Sequence, residues 1–142
     1  MKIAIGSDHG GYLLKEQVKE YLLEKGYDVF DKGCFGLESV DYPVYAKEVA
    51  ESVQKNESDY GILICTTGVG MQITANKAKK VRAVIGFNND VCMMSRKHNN
   101  CNVLCLGAKY TDINEAKAYI DIFLSTDFEG GRHERRVNQI EE

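Results

Sequence analysis

A thiol, two imidazoles and a glycine-threonine run are the parts of this sequence best suited to chemistry. Cys65 closes the apolar run Gly61-Ile62-Leu63-Ile64 and is followed by Thr66-Thr67-Gly68-Val69-Gly70. The apolar run reads as a strand buried on both faces, the small residues as a tight turn, and the next residues as a short helix over about Gly70 to Ala78. In an open α/β sheet, ligands bind at the carboxyl ends of strands, where the next helix offers free N–H groups. Gly68 and Gly70 let a ligand come close to the main chain. Cys65 is then a thiol beside an anion cradle; the plainer reading is a buried structural cysteine. A second polar cluster, Asp8-His9, follows the first strand, and Lys109 follows the fifth. His98 ends a helix, where an imidazole often just meets the helix dipole. Arg132-His133-Glu134-Arg135-Arg136 is a charge cluster of the kind that usually faces solvent. If that segment is helical, however, Arg132 and Arg136 share a face and can clamp a phosphate.

Alternating strands and helices position these groups. Strands are expected at Lys2–Ser7, Tyr27–Asp31, Asp59–Cys65, Val81–Phe87 and Asn102–Gly107. The first helix buries Leu14, Val18, Tyr21 and Leu22 and stops at Gly26. Pro43 suits the first turn of the second helix, whose buried stripe is Ala46, Val49, Ala50 and Val53. A helix over Asp90–Lys97 precedes His98-Asn99-Asn100. Asp112 caps a last helix that buries Ala116, Ile120, Phe123 and Leu124. Strict alternation implies a Rossmann-like three-layer α/β/α sandwich around a five-stranded parallel sheet. Right-handed crossovers then gather Asp8-His9, Cys65 to Gly70 and Lys109 at one edge. A polar tail, about 127–142, remains, and Gly130-Gly131 lets it swing away from the body.

The 142 residues suit one domain, 1–142. A net charge of −3 argues against nucleic acid as the main partner. No apolar run reaches the length of a membrane span, and the N-terminus lacks a signal-peptide pattern. Five cysteines without a C-x-x-C pair speak against a zinc site and for reduced thiols in a cytoplasmic protein. Gly6-x-x-x-Gly10-Gly11 fails the dinucleotide spacing and no P-loop lysine follows Gly68-x-Gly70, so neither a nucleotide cofactor nor a metal is expected.

Five stretches together resemble one family. They are Ile5-Gly6-Ser7-Asp8-His9-Gly10-Gly11, Ser39-Val40-Asp41-Tyr42-Pro43, Gly61 to Lys77, His98 to Leu104, and Phe128 to Arg136. In order and spacing they are similar to the ribose-5-phosphate isomerase B family, which includes allose- and galactose-6-phosphate isomerases. The resemblance implies a metal-free aldose–ketose isomerase of a phosphorylated sugar. It implies Cys65 as the base moving the proton between C1 and C2, and His98 in ring opening with Asp41 near it. Asp8 and Tyr42 would contact sugar hydroxyls. Thr67 and the backbone of Thr66, Gly68, Val69 and Gly70 would hold the enediolate. His9, Arg132 and Arg136 would bind phosphate, with Lys109 where an arginine is common. The family's sites lie between two subunits, so His98, Asn99 and the tail arginines would face the partner's Cys65 in a homodimer or tetramer.

Three positions depart from the family pattern. Gly10 stands in a usual Asp-His-Ala-Gly, Thr66 in a usual Cys-Gly-Thr-Gly, and Lys109 offers a point charge in place of a fork. The expected substrate is ribose 5-phosphate, with allose 6-phosphate as the same-class alternative. A non-catalytic phosphosugar-binding protein is the alternative of another class. A cysteine-dependent phosphatase would need an arginine shortly after the cysteine, and Thr66 to Gln72 contains none.

Overall fold

The computed structural model describes residues 1–142. Five parallel strands, β1 (Lys2–Ser7), β2 (Asp28–Asp31), β3 (Tyr60–Cys65), β4 (Ala83–Ile85) and β5 (Val103–Gly107), lie in the order β2-β1-β3-β5-β4. The helices are α1 (Tyr12–Glu24), α2 (Tyr42–Gln54), α3 (Val69–Ala75), α4 (Asn89–Asn99), α5 (Ile113–Ser125) and α6 (Arg132–Ile140). The three-layer α/β/α sandwich expected from the alternation is the architecture found. No helix is long and apolar enough to cross a membrane.

Alternation along the strands divides the core in two. Ile3, Ile5, Ile62, Ile64, Leu104 and Leu106 face α1, α4 and α5, meeting Leu14, Val18, Leu22, Ile120 and Phe123. Ala4, Leu63, Cys65, Val103 and Cys105 face α2 and α3, meeting Ala46, Val49, Val53, Met71 and Ala75. The central strands β1, β3 and β5 therefore read as unbroken apolar runs. Chain order reverses between β1 and β3, which opens a crevice at their carboxyl ends.

Boundaries shift where neighbours are missing. β4 spans only Ala83–Ile85, shorter than the expected Val81–Phe87, because it is an edge strand paired with β5 alone. α4 runs on through His98 and Asn99 and ends on Asn100, whose φ of 47° is a left-handed cap that asparagine tolerates. Tyr21 is half-buried, its hydroxyl donating to Asp121 at 2.6 Å. The Asp112 cap is present as a full capping box with Glu115.

The tail differs most from expectation. It does not swing free but forms α6, docked on α4 of its own chain with Val137 buried. Glu141 takes an ion pair from Arg82 at 2.6 Å, and Arg82 Nε donates to the carbonyls of Asn99 and Asn100 at 3.1 Å. The two glycines before α6 have φ of 70° and 58°, so they make a sharp turn back onto the body instead of a loose hinge.

Candidate active site

The turn after β3 holds Cys65 in place from three sides. The N–H of Ala108 donates to the Cys65 carbonyl at 2.9 Å, that of Lys109 to Thr66 at 3.0 Å, and that of Asp8 to Ile64 at 3.3 Å. Close approach at Gly107 requires glycine, since a Cβ there would lie 2.6 Å from the Thr67 carbonyl oxygen. Gly68, at φ +83°, turns the chain so that its own N–H points at Cys65 Sγ, 3.1 Å away. That donor suits a sulfur carrying negative charge. Cys65 is 5% exposed. Cys92, Cys101 and Cys105 have no backbone donor of this kind: burial pushes Cys92 and Cys101 up to about 11, and Cys105 higher still. These three stay protonated at neutral pH.

The cradle is narrower than the sequence suggests. Gly68 N–H goes to Cys65, and Val69 N–H to the Thr67 hydroxyl oxygen at 3.2 Å. The N–H groups of Thr67 and Gly70 have no backbone partner and remain for an oxyanion, together with the Thr67 O–H. Tyr42, at the start of α2, lies flat against Gly70, where a Cβ would come 2.6 Å from its ring. Asp41 precedes it with its carboxylate unused for capping. Asp8 accepts the Gly11 N–H at 3.1 Å. His9 Nδ1 accepts the Val40 N–H at 3.1 Å, so in the neutral ring Nε2 carries the proton and faces outward as a donor. Asp8, His9, Asp41, Tyr42, Cys65 to Gly70 and Lys109 thus share the carboxyl edge.

His98, Asn99, Arg132 and Arg136 do not. Helices in this fold run opposite to the strands, so α4 ends at the amino edge and leads through Asn100–Asn102 into β5. The Asn102 carbonyl accepts the N–H of Gly61, at the start of β3. Four residue steps of β3 separate Gly61 from Cys65, about 13 Å at the rise of a strand. Arg96, buried under Tyr60 and Phe123, fixes this corner by donating to Cys101 and Asn100 at 2.6 and 2.8 Å. His98 and His133 stack with ring centroids 4.1 Å apart, and each Nε2 is within 3.7 Å of Glu129 Oε1. Burial, followed by the charges of His98 and Arg132, holds His133 below the usual histidine range. Arg132 and Arg136 are exposed, with no acidic partner in ion-pair reach.

His98, Glu129 and His133 have donor atoms within 4.8 Å of one another, a grouping that no spacing rule had raised. The arginine charge acting on His133 opposes a cation there and favours an anion, leaving Glu129 as the internal counter-charge. The i, i+4 spacing of Glu129 and His133 was the available signal for this contact. The Val40–His9 bond had none, because the donor is a backbone group 31 residues away in sequence.

A doubly wound α/β protein with a thiol and oxyanion donors at its switch point, and an imidazole with free guanidiniums on its far edge, has the parts of a proton-transfer enzyme for an anionic substrate. The family model for ribose/galactose isomerases matches residues 3–140, and the chain belongs to that family. It is 45% identical over 139 residues to ribose-5-phosphate isomerase B of Escherichia coli, covering 98% of this chain and 93% of that protein. The structure of a ribose 5-phosphate isomerase from Thermotoga maritima superposes with a TM-score of 0.97 at 50% identity, covering 99% of this chain and 97% of that one. Ribose-5-phosphate isomerase B of Mycoplasma genitalium, solved with bound ribulose-5-phosphate, superposes at 0.94 with 42% identity, covering 99% and 93%.

Proposed function

We propose that this isomerase interconverts ribose 5-phosphate and ribulose 5-phosphate, in the cytoplasm and as part of pentose phosphate metabolism. The observation that carries the substrate is the full-length match to relatives of that name, one of them solved with the ketose product bound. The residues of the carboxyl edge supply a consistent chemistry. The Cys65 thiolate takes the C2 proton of the open-chain aldose as negative charge moves to O1. The N–H groups of Thr67 and Gly70 and the Thr67 hydroxyl hold the enediolate. The proton returns to C1 while the O2 hydroxyl proton passes to O1, so a 1,2 shift is complete without an external reductant. Asp8 and Tyr42 hold sugar hydroxyls. His98 moves the proton between the anomeric hydroxyl and the ring oxygen of the closed sugar.

His98 belongs to the same site only if a second subunit brings it there. The proposed assembly is a twofold homodimer in which each carboxyl edge faces the partner's amino edge, with His98, Asn99, Arg132 and Arg136 closing the site and the arginines holding phosphate with His9 and Lys109. The exposure of both arginines and the distance along β3 support this arrangement. The test is a panel of aldose phosphates offered to the purified protein, with ketose formation read directly. Turnover of ribose 5-phosphate well above that of allose 6-phosphate is expected. Preference for the hexose, or binding of sugar phosphates without turnover, would overturn the assignment.

A further inference from the structure

Gly10 is a glycine without a backbone reason. Its φ lies outside the left-handed region, and it is exposed at the crevice. What it provides is space. A Cβ at this position would lie 2.3 Å from Thr66 Oγ1, 3.3 Å from Asp8 Oδ1 and 3.5 Å from Thr66 Cβ. The Thr66 hydroxyl therefore occupies the volume that any other residue at position 10 would fill. It and Asp8 Oδ1 flank the same small space, one residue after the thiol. Asp8 accepts the Gly11 N–H and the Thr67 hydroxyl accepts the Val69 N–H, whereas the Thr66 hydroxyl takes part in no hydrogen bond within the protein. A threonine rotamer is a choice among three substituents on Cβ, two of them heavy atoms. An alanine at position 10 would force a rotation of χ1 and carry the hydroxyl away from Asp8, with no need to disturb the sheet.

We propose that Gly10 and Thr66 act as one steric unit that sets an additional substrate-positioning hydroxyl beside Asp8. This rests on the sugar-phosphate isomerase reading and deepens it: the ligand is a hydroxyl of the substrate's carbon chain, shared between the Asp8 carboxylate and Thr66. The two departures from the family pattern at positions 10 and 66 then have one cause, bulk given up on one side of a contact and gained on the other.

The experiment compares the full-length wild-type protein with Thr66→Val, Gly10→Ala, the Gly10→Ala/Thr66→Val pair and the Gly10→Ala/Thr66→Gly pair, reading KM and kcat for ribose 5-phosphate and ribulose 5-phosphate alongside thermal melts. Thr66→Val keeps the shape and removes the hydroxyl, and should raise KM about fivefold, the worth of one hydrogen bond, with a much smaller change in kcat. Gly10→Ala should raise KM by a similar factor, and the pair with Thr66→Val should be no worse than the more affected single variant. Gly10→Ala/Thr66→Gly lacks the clash and should melt as wild type does, which keeps the steric claim testable if Gly10→Ala alone fails to fold. An unchanged KM in Thr66→Val overturns the role of the hydroxyl. Multiplying KM effects in the Thr66→Val pair, or a Gly10→Ala melting defect that Thr66→Gly leaves untouched, overturn the coupling; the raised KM persists in the Thr66→Gly pair, which lacks the hydroxyl. Wild-type protein without turnover of either pentose phosphate defeats the parent reading and this inference together, whereas normal turnover with a flat response at 66 defeats only the inference.

Discussion

At the scale of single residues, the division of labour between thiol and imidazole sets the clearest expectations. Cys65 is the thiol with a backbone donor aimed at its sulfur, while burial keeps Cys92, Cys101 and Cys105 protonated. Cys65→Ala should lower turnover by at least about a thousandfold, within the range for removal of a positioned base, while calorimetry still detects sugar-phosphate binding. Near-normal turnover in that variant would take Cys65 out of the mechanism. In the proposed mechanism His98 acts before the proton shift, on the closed sugar. His98→Ala should therefore depress turnover of ribose 5-phosphate much more than that of ribulose 5-phosphate, which has no furanose to open. Equal losses in the two directions, after correction for the reaction equilibrium, would deny the ring-opening role. The positions of these residues were legible because chemistry-bearing residue types fell at element ends; their proposed roles come from the family resemblance. The contacts that hold the imidazoles were not legible: Val40 holds His9 through a backbone N–H, and Glu129 meets two imidazoles only after the tail has folded back.

At the scale of elements, two attachments hold the parts of the site. Lys15 on α1 is fully buried, yet it pairs with Asp31 at 2.7 and 2.8 Å beneath the Tyr12 and Phe35 rings. Asp31 also accepts the Gly33 N–H and so anchors the loop that carries Val40 to His9. Lys15→Ala should cost about 3 kcal/mol, the low end for a broken buried pair because Lys19 still reaches Asp31. Urea melts read the stability, and a raised KM would report the loosened loop; a loss below about 1 kcal/mol would mean the pair is not holding it. The second attachment is α6 on α4. His133 has its pKa lowered in the folded chain, so the unfolded chain binds protons more readily. The stability due to the neutral, stacked ring is complete above the ordinary histidine pKa of about 6.5 and is lost as pH falls below it. Melting temperature should drop as pH falls below about 6.5, and His133→Phe should flatten that part of the profile; an unchanged slope would remove His133 as its source. The strands and α1, α2 and α5 could be read from periodicity because their apolar faces meet the sheet. α6 could not, because Val137 is its one buried residue and its remaining contacts are polar.

At the scale of the whole molecule, topology separates what the proposed chemistry unites. Cys65 pairs with Gly107 at the carboxyl edge of the sheet, while His98 and α6 gather at the amino edge beside Asn102. The order of motifs along the chain gives no hint of this distance; it follows from helices running back against a parallel sheet. The proposed twofold dimer would repair the separation twice, giving two equivalent sites from two chains. The direct measurement is subunit complementation between Cys65→Ala and Arg132→Ala/Arg136→Ala, each inactive alone, mixed under conditions shown to permit exchange. Each mixed dimer then has one site with both defects and one with none. Random pairing makes about half of the dimers mixed, so activity should return to about a quarter of wild type. No recovery, with exchange demonstrated, would place each complete site within one chain and contradict the shared-site account.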